Sequence, residues 1–187
     1  MRRVWLVYGS GAIVAVTMSM LINRCGSARR NVLKNEVVAI CQLHPYILWQ
    51  DNYREGQLKE TGLAQYSSSL RELLESGEAT ESFARAEADA PACVAYAGYV
   101  FRILKRQGPN APGGRMDYIV NGRMTAGHAI IAFPREYGTT GVHTYVAVAS
   151  GVVWEADLGI DTNSGAMSME EFDPDARWTR LEENVKE

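Results

Sequence analysis

Three short segments rich in β-branched and aromatic residues follow one another closely in the second half of the chain. They are HAIIAF (128–133), TYVAVA (144–149) and VVWEAD (152–157). GTTG and Ser150-Gly151 separate them, and both are typical turn sequences. The spacing predicts three antiparallel strands joined as a meander, with MDYIV (116–120) as a candidate fourth strand ahead of them.

The segment before these strands, from Asp89 to Gly108, has the features of a helix. Asp89 is a good N-cap and Pro91 suits the first turn. The apolar residues at helical spacing are Ala97, Val100 or Phe101, and Leu104. Cys93 would lie in or near the first turn, where the helix dipole lowers the pKa of a thiol. A cysteine-bearing helix packed on an antiparallel meander predicts an α+β fold.

Strand direction distinguishes two histidines as candidate bases. If the three strands alternate in direction, His143 lies at the same end of the sheet as Glu155 and Asp157, and His128 lies at the other end. The register of the last hairpin decides which of its side chains lie on the same face of the sheet as His143. A two-residue turn puts Trp154 on the face of His143, whereas a three-residue loop puts Glu155 and Asp157 there.

These residues resemble a family of thiol hydrolases. The order of Cys93, a Gly-led strand (GHAIIAF), a strand led by His143 (HTYVAVASG) and a polar residue twelve positions later is similar to the NlpC-type cell-wall endopeptidases and, more loosely, the CHAP amidases. The resemblance covers about residues 90–157. It implies a papain-like fold in which Cys93 attacks an amide carbonyl, His143 is the base and Glu155 orients the imidazole. Glu155-Ala156-Asp157 is similar to the Glu-x-Asn of the CHAP pattern, with Asp157 in place of Asn.

The chain departs from that family around both motifs, which leaves other interpretations open. Ala92-Cys93-Val94-Ala95 stands where Asp-Cys-Ser-Gly is typical, and Gly127-His128 stands where Gly-Asp is usual. A transglutaminase-like cysteine peptidase would use Cys93, His128 and Asp157 instead. A catalytically inactive binding module of the same fold and an assembly or interaction protein are the non-enzymatic alternatives.

The favoured hypothesis from the sequence is therefore a thiol hydrolase that cleaves an amide bond, with cell-wall peptide or a peptidoglycan-like substrate as its candidate substrate. The chain has no CxxC motif or Cys/His ligand cluster, so no cofactor or metal is expected. The net charge is −3 overall, but 13 basic residues face 22 acidic ones after Asn35, a balance of −9. An acidic body without a basic stripe argues against nucleic-acid binding.

The N-terminal run from Val4 to Ile22 contains no charged residue. It is long enough to cross a hydrocarbon core of roughly 30 Å. Residues 1–27 are therefore expected to be a single-pass membrane anchor, or a signal segment cleaved near Gly26-Ser27-Ala28. Residues 28–187 would form the hydrolase domain, placed in the periplasm or outside the cell by its predicted function.

Helices are also expected between this run and the strands. RRNVLKNEVVAICQLH carries apolar residues near helical spacing, and Pro45 should end that helix. The residues at this spacing are Val32 or Leu33, Val37, Ile40, Cys41 and His44. Shorter helices are predicted over 63–76 and from Thr80 to Ala88.

Overall fold

The computed structural model describes residues 4–181, with side chains from residue 26 onward. Its helices are α1 Val4–Thr61, α2 Leu70–Glu75, α3 Glu81–Ala84 and α4 Thr162–Ser168. Its strands are β1 Tyr99–Leu104, β2 Arg106–Gln107, β3 Met116–Asp117, β4 Ile119–Val120, β5 Arg123–Met124, β6 Ala129–Pro134, β7 His143–Val148, β8 Val153–Asp157, β9 Glu171–Phe172 and β10 Thr179–Arg180.

The main sheet has the order β1-β6-β7-β8-β10, and every neighbouring pair is antiparallel. The expected meander of three strands is confirmed as β6, β7 and β8. The last hairpin has the three-residue loop 149–151, since the register runs from Ala147↔Val153 to His143↔Asp157. The chain is therefore α+β, with helices packed on a largely antiparallel sheet.

The predicted helix from Asp89 to Gly108 is wrong, because its second half is strand β1. The chain reverses at Ala97 and Gly98, whose φ angles of 47° and 79° lie in the left-handed region. The aromatic and β-branched run after this turn then pairs with β6 along its whole length. Cys93 consequently lies in the loop between α3 and β1 and is not carried by a helix.

The first helix is longer than expected and buries a different face. Pro45 lies inside α1, which continues to Thr61. The buried residues of the helix are Glu36, Ala39, Leu43, Tyr46 and Gln50. These recur at steps of three and four residues and pack against the sheet, which α1 contacts mainly at β7. The face predicted from the sequence lies at the edge of the core, with Leu33 56% and Val37 59% exposed and Ile40 partly buried against the core.

Both faces of the sheet are covered by aromatic side chains. On one face, Phe83 of α3 packs between Phe101 of β1 and Trp49 of α1, at ring distances of 4.7 and 5.4 Å. On the other face, Phe172 packs against Trp154 and Trp178 at 5.8 and 5.3 Å. The core therefore continues on either side of the meander, and α1 is part of it.

The expected membrane anchor is corrected. Within the described part of the chain, no helix is long and apolar enough to cross a membrane. The predicted transmembrane helix within residues 1–27, and with it the single-pass membrane location, is therefore not supported. The helix α1 continues from the run Val4 to Ile22 through Arg24 and Lys34 onto the sheet. The side chains of that run lie outside the described residues.

Candidate functional site

A carboxylate from α1 meets the start of β7. Glu36 belongs to the buried face of the helix and is only 7% exposed. Its Oε1 accepts hydrogen bonds from the backbone N–H of Val142 at 2.9 Å and of His143 at 3.2 Å. The same oxygen lies 3.2 Å from His143 Nδ1, so the tautomer with its proton on Nδ1 donates to it. Glu36 therefore orients the imidazole ring of His143 and also anchors the start of β7 to α1.

Further contacts fix the loop that leads into β7. The Tyr99 hydroxyl donates to the His143 carbonyl at 2.9 Å. Burial raises the pKa of Tyr99 above its ordinary value, and Tyr145 and Glu36 add to the rise, so this hydroxyl stays protonated. Asn35 Nδ2 donates to the Thr140 carbonyl at 2.9 Å. Gly141 leaves room for the Tyr99 ring, which a Cβ at this position would strike.

The carboxylates expected to orient His143 lie on its face but bond elsewhere. The register pairs Asp157 with His143 and Glu155 with Tyr145, as the three-residue loop requires. Asp157 accepts hydrogen bonds from the Tyr137 hydroxyl at 3.2 Å and from the Gly159 N–H at 2.9 Å. Among the described residues, no hydrogen bond joins either carboxylate to the His143 ring.

The thiol of Cys93 does not have the lowered pKa that a position at the start of a helix would give it. Burial raises the pKa of its thiol, and only the nearby Arg135 charge opposes the rise. Arg135 Nη1 also donates to the Cys93 carbonyl at 3.2 Å. In the part of the chain that is described, no hydrogen bond links the thiol to His143 or to His128.

Cys93 and His143 nevertheless lie at the same end of the sheet. Arg135 directly follows β6. Its backbone N–H donates a hydrogen bond to the carbonyl of Gly98, just before β1, at 3.0 Å. Tyr99, the first residue of β1, reaches the His143 carbonyl at the start of β7. The loop that carries Cys93 therefore ends beside the same row of strand ends.

His128 lies at the opposite end, as strand direction predicts. Its carbonyl accepts from the Ala149 N–H at 3.1 Å, next to the β7–β8 loop. The ring is buried against Tyr66 and Tyr46, at centroid distances of 4.7 and 5.5 Å, and its Nδ1 has no hydrogen-bond partner among the residues that the structure describes. Burial lowers the pKa of His128 to about 4. The ring is therefore neutral at ordinary pH and acts as a core aromatic.

A second apolar face of α1 borders a groove. This face, the outer stripe, consists of Leu33, Val37, Ile40, His44 and Ile47. The groove has a volume of about 910 Å³ and lies between the C-terminal part of the outer stripe and the β7–β8 loop, with Val152, Arg180 and Leu181 on its far side. Leu48 lines it as well and is 65% exposed. No set of His, Cys, Asp or Glu side chains within the described residues is grouped to hold a metal ion.

Sequence reasoning missed Glu36 and misassigned the outer stripe. Glu36 stands at the same three-and-four spacing as Ala39, Leu43 and Tyr46, so an acid on an apolar face was the signal that could have found it. Two apolar faces compete on this helix, and the one with a Glu at its start is the one that packs.

Comparisons with known proteins give one match. A family model described as "Protein of unknown function (DUF2950)" matches residues 24–181. Comparison with curated proteins and with solved structures found no match.

Proposed function

The chain belongs to the DUF2950 family, and from its geometry we propose that it is an interaction protein, in which a sheet domain is fixed on a long helix that docks against another protein. The observation that carries this proposal is the outer stripe. Its members Leu33 and Val37 are more than half exposed, and so is Leu48 next to Ile47, while Ile40 and Ile47 are partly buried against the core. Clustered exposed apolar side chains are typical of a protein–protein contact.

The helix projects well beyond the domain that it supports. With 58 residues, α1 is about 87 Å long at 1.5 Å per residue. A six-residue strand of the sheet spans only about 20 Å. From residue 26 to 34, before the helix reaches the sheet, nearly all side chains are exposed. Only Gly26 and Val32 are partly buried there, so most of the circumference of this described part of α1 is available to a partner.

The domain is held rigidly on that helix, as an assembly role requires. Glu36 and Asn35 bind the loop and strand that start at Thr140 through four hydrogen bonds. Further along α1, Gln50 donates to the Ser67 carbonyl at 3.0 Å and accepts from its N–H at 2.8 Å. Because both ends of the buried face are bonded, a partner that binds the helix also positions the sheet.

Photo-crosslinking in cells that produce the full chain tests this function. A photoreactive residue at Val37 should form one discrete adduct of higher mass, whereas the same residue at Ser82, an exposed position of α3, should form none. Leu33→Glu should weaken the adduct from position 37 without changing the melting temperature. Absence of an adduct from Val37 would contradict the proposal.

A thiol hydrolase acting on an amide bond is a second proposal, and one observation favours it. Glu36 orients the His143 imidazole through Nδ1, which is how a carboxylate prepares a histidine to act as a base through Nε2. In that mechanism the Cys93 thiolate attacks the carbonyl, and His143 accepts the proton and returns it to the leaving group. The raised pKa of Cys93 weighs against it. Loss of turnover in both Cys93→Ser and His143→Ala, with folding intact, would support it.

A further inference from the structure

We propose that the partner of the outer stripe is a second copy of this chain, packed antiparallel so that Cys41 of one copy lies beside Cys41 of the other. The inference rests on the proposed interaction function and names its partner.

The spacing of the outer stripe suits a pair of helices. Its five members recur at steps of four, three, four and three residues. A mean spacing of about 3.5 residues is compatible with the seam between two helices in a coiled coil, and the buried face of α1, which packs on the sheet, has the same spacing. The buried face of α1 already meets the sheet, so the outer stripe is a second seam on the same helix. A seam that meets its own copy through a twofold axis is self-complementary.

Charge selects the antiparallel direction. Arg29, Arg30 and Lys34 are exposed at the N-terminal end of the outer stripe, and Asp51 is exposed at its C-terminal end. Arg54, in the next turn, is held over the Tyr66 ring at 5.6 Å. An antiparallel pair brings Arg29 and Arg30 of one copy alongside Asp51 of the other, whereas a parallel pair would bring like charges together.

The groove leaves room for the second helix. It lies between α1 and the β7–β8 loop, and its apolar members from α1 are Ile40, Ile47 and Leu48. A helix laid along the outer stripe would cover these side chains and contact Val152 on the other side. Arg180 lines the far side of the groove, with its guanidinium 5.0 Å from the centroid of the Trp154 ring.

A cysteine at the midpoint of the outer stripe can report on the pairing of the two helices. Ile40 is the middle member, and Cys41 is exposed directly beside it. In an antiparallel pair the equivalent flanks of the two helices face one another, so the two Cys41 side chains approach across the twofold axis.

Oxidative crosslinking of the full chain tests the pairing. Cys25→Ser/Cys93→Ser leaves Cys41 as the single thiol. With copper phenanthroline and oxygen as oxidant, two thiols lose two protons and two electrons and form one disulfide. A band at twice the 20.7 kDa chain mass should appear on a non-reducing gel. Cys41→Ser should abolish the band, and Val37→Glu should reduce it by roughly tenfold or more.

Direction is tested by two further variants in a cysteine-free chain. Arg30→Cys mixed with Asp51→Cys should give a mixed disulfide, and Arg30→Cys alone should give little. Efficient linking of Arg30→Cys to itself would overturn the antiparallel arrangement.

Other occupants of the groove give different results. A Val37 photo-adduct whose mass differs from a dimer of this chain would overturn the second copy but leave the interaction function standing. The chain could instead stay monomeric, with Cys41 reacting much faster with a thiol reagent after truncation at Leu181. That result would assign the groove to the last six residues of the same chain and would also overturn the proposal. Failure to form any adduct from Val37 would contradict both proposals.

Discussion

Glu36 and His143 stand 107 residues apart in the chain, yet one carboxylate oxygen of Glu36 lies 3.2 Å from both the backbone nitrogen and the imidazole Nδ1 of His143. The contact joins the long helix to the start of β7. It serves the proposed interaction function by fixing the sheet on the helix. It is also the arrangement that a hydrolase would need, so stability and chemistry are tested at the same residue.

Glu36→Ala should destabilise the fold by about 2–4 kcal/mol, because the backbone N–H groups of Val142 and His143 lose their buried acceptor. Glu36→Gln keeps an acceptor oxygen and should cost less than half as much. Urea unfolding measures both, with exposed Glu55→Ala as the control expected to change stability by no more than about 0.5 kcal/mol. Equal stability of Glu36→Ala and the natural chain would show that the contact does not hold the helix.

Gly141→Ala should destabilise by about 1–3 kcal/mol, because the new Cβ collides with the Tyr99 ring. Combining it with Tyr99→Leu should recover part of the loss caused by Gly141→Ala, since the smaller side chain removes the collision. Gly165→Ala, at an open position of α4, is the matched control and should be neutral or slightly stabilising. Thermal melts of the four variants would contradict the close approach if Gly141→Ala behaved like the control.

Acid should weaken the fold through His128. Burial lowers its pKa from 6.5 in the unfolded chain to about 4 in the folded one, so the unfolded chain binds the proton more tightly. The free energy of unfolding has its full value above about pH 6.5. It falls by about 3 kcal/mol in total as the pH drops toward 4. The difference in pH slope between the natural chain and His128→Phe isolates this effect. Identical slopes for the two chains would refute it.

Cys41 should react with iodoacetamide faster than Cys93 at pH 6.5. Cys41 is exposed, whereas Cys93 is partly buried and its thiol pKa is raised. Arg135→Ala should slow Cys93 further by removing the nearby positive charge. Peptide mass spectrometry over a time course gives both rates. Faster labelling of Cys93 would restore the activated thiol that the sequence predicts and would favour the hydrolase.

The strands were predictable because their signals are local. The β-branched runs, the turn sequences and the alternation of direction place His143 and Asp157 at one end of the sheet and His128 at the other, as observed. The prediction of a helix from Asp89 to Gly108 fails because an N-cap residue and helical spacing stabilise a helix less than the pairing of β1 with β6 stabilises the strand. That pairing depends on residues 25 to 35 positions away, which no local pattern reports.

The candidate site was less predictable than the strands. The partner of the His143 ring comes from α1, far upstream, and α1 carries two apolar faces of similar spacing. Val37 and Ile40 have the more apolar pattern, but the face of Leu43 and Tyr46 is the one that is fully buried. Only the tertiary packing decides between them, and it leaves Leu33 and Val37 of the outer stripe exposed.

Sedimentation velocity of the full chain, compared with Leu33→Glu/Val37→Glu across a wide concentration range, tests the central claim most directly. Both substituted positions are exposed, so the two proteins should have the same melting temperature at low concentration, where both are monomeric. The natural chain should sediment faster as its concentration rises, and the variant should remain a 20.7 kDa monomer throughout. A natural chain that stays monomeric at every concentration, indistinguishable from the variant, would contradict self-association through the outer stripe of α1.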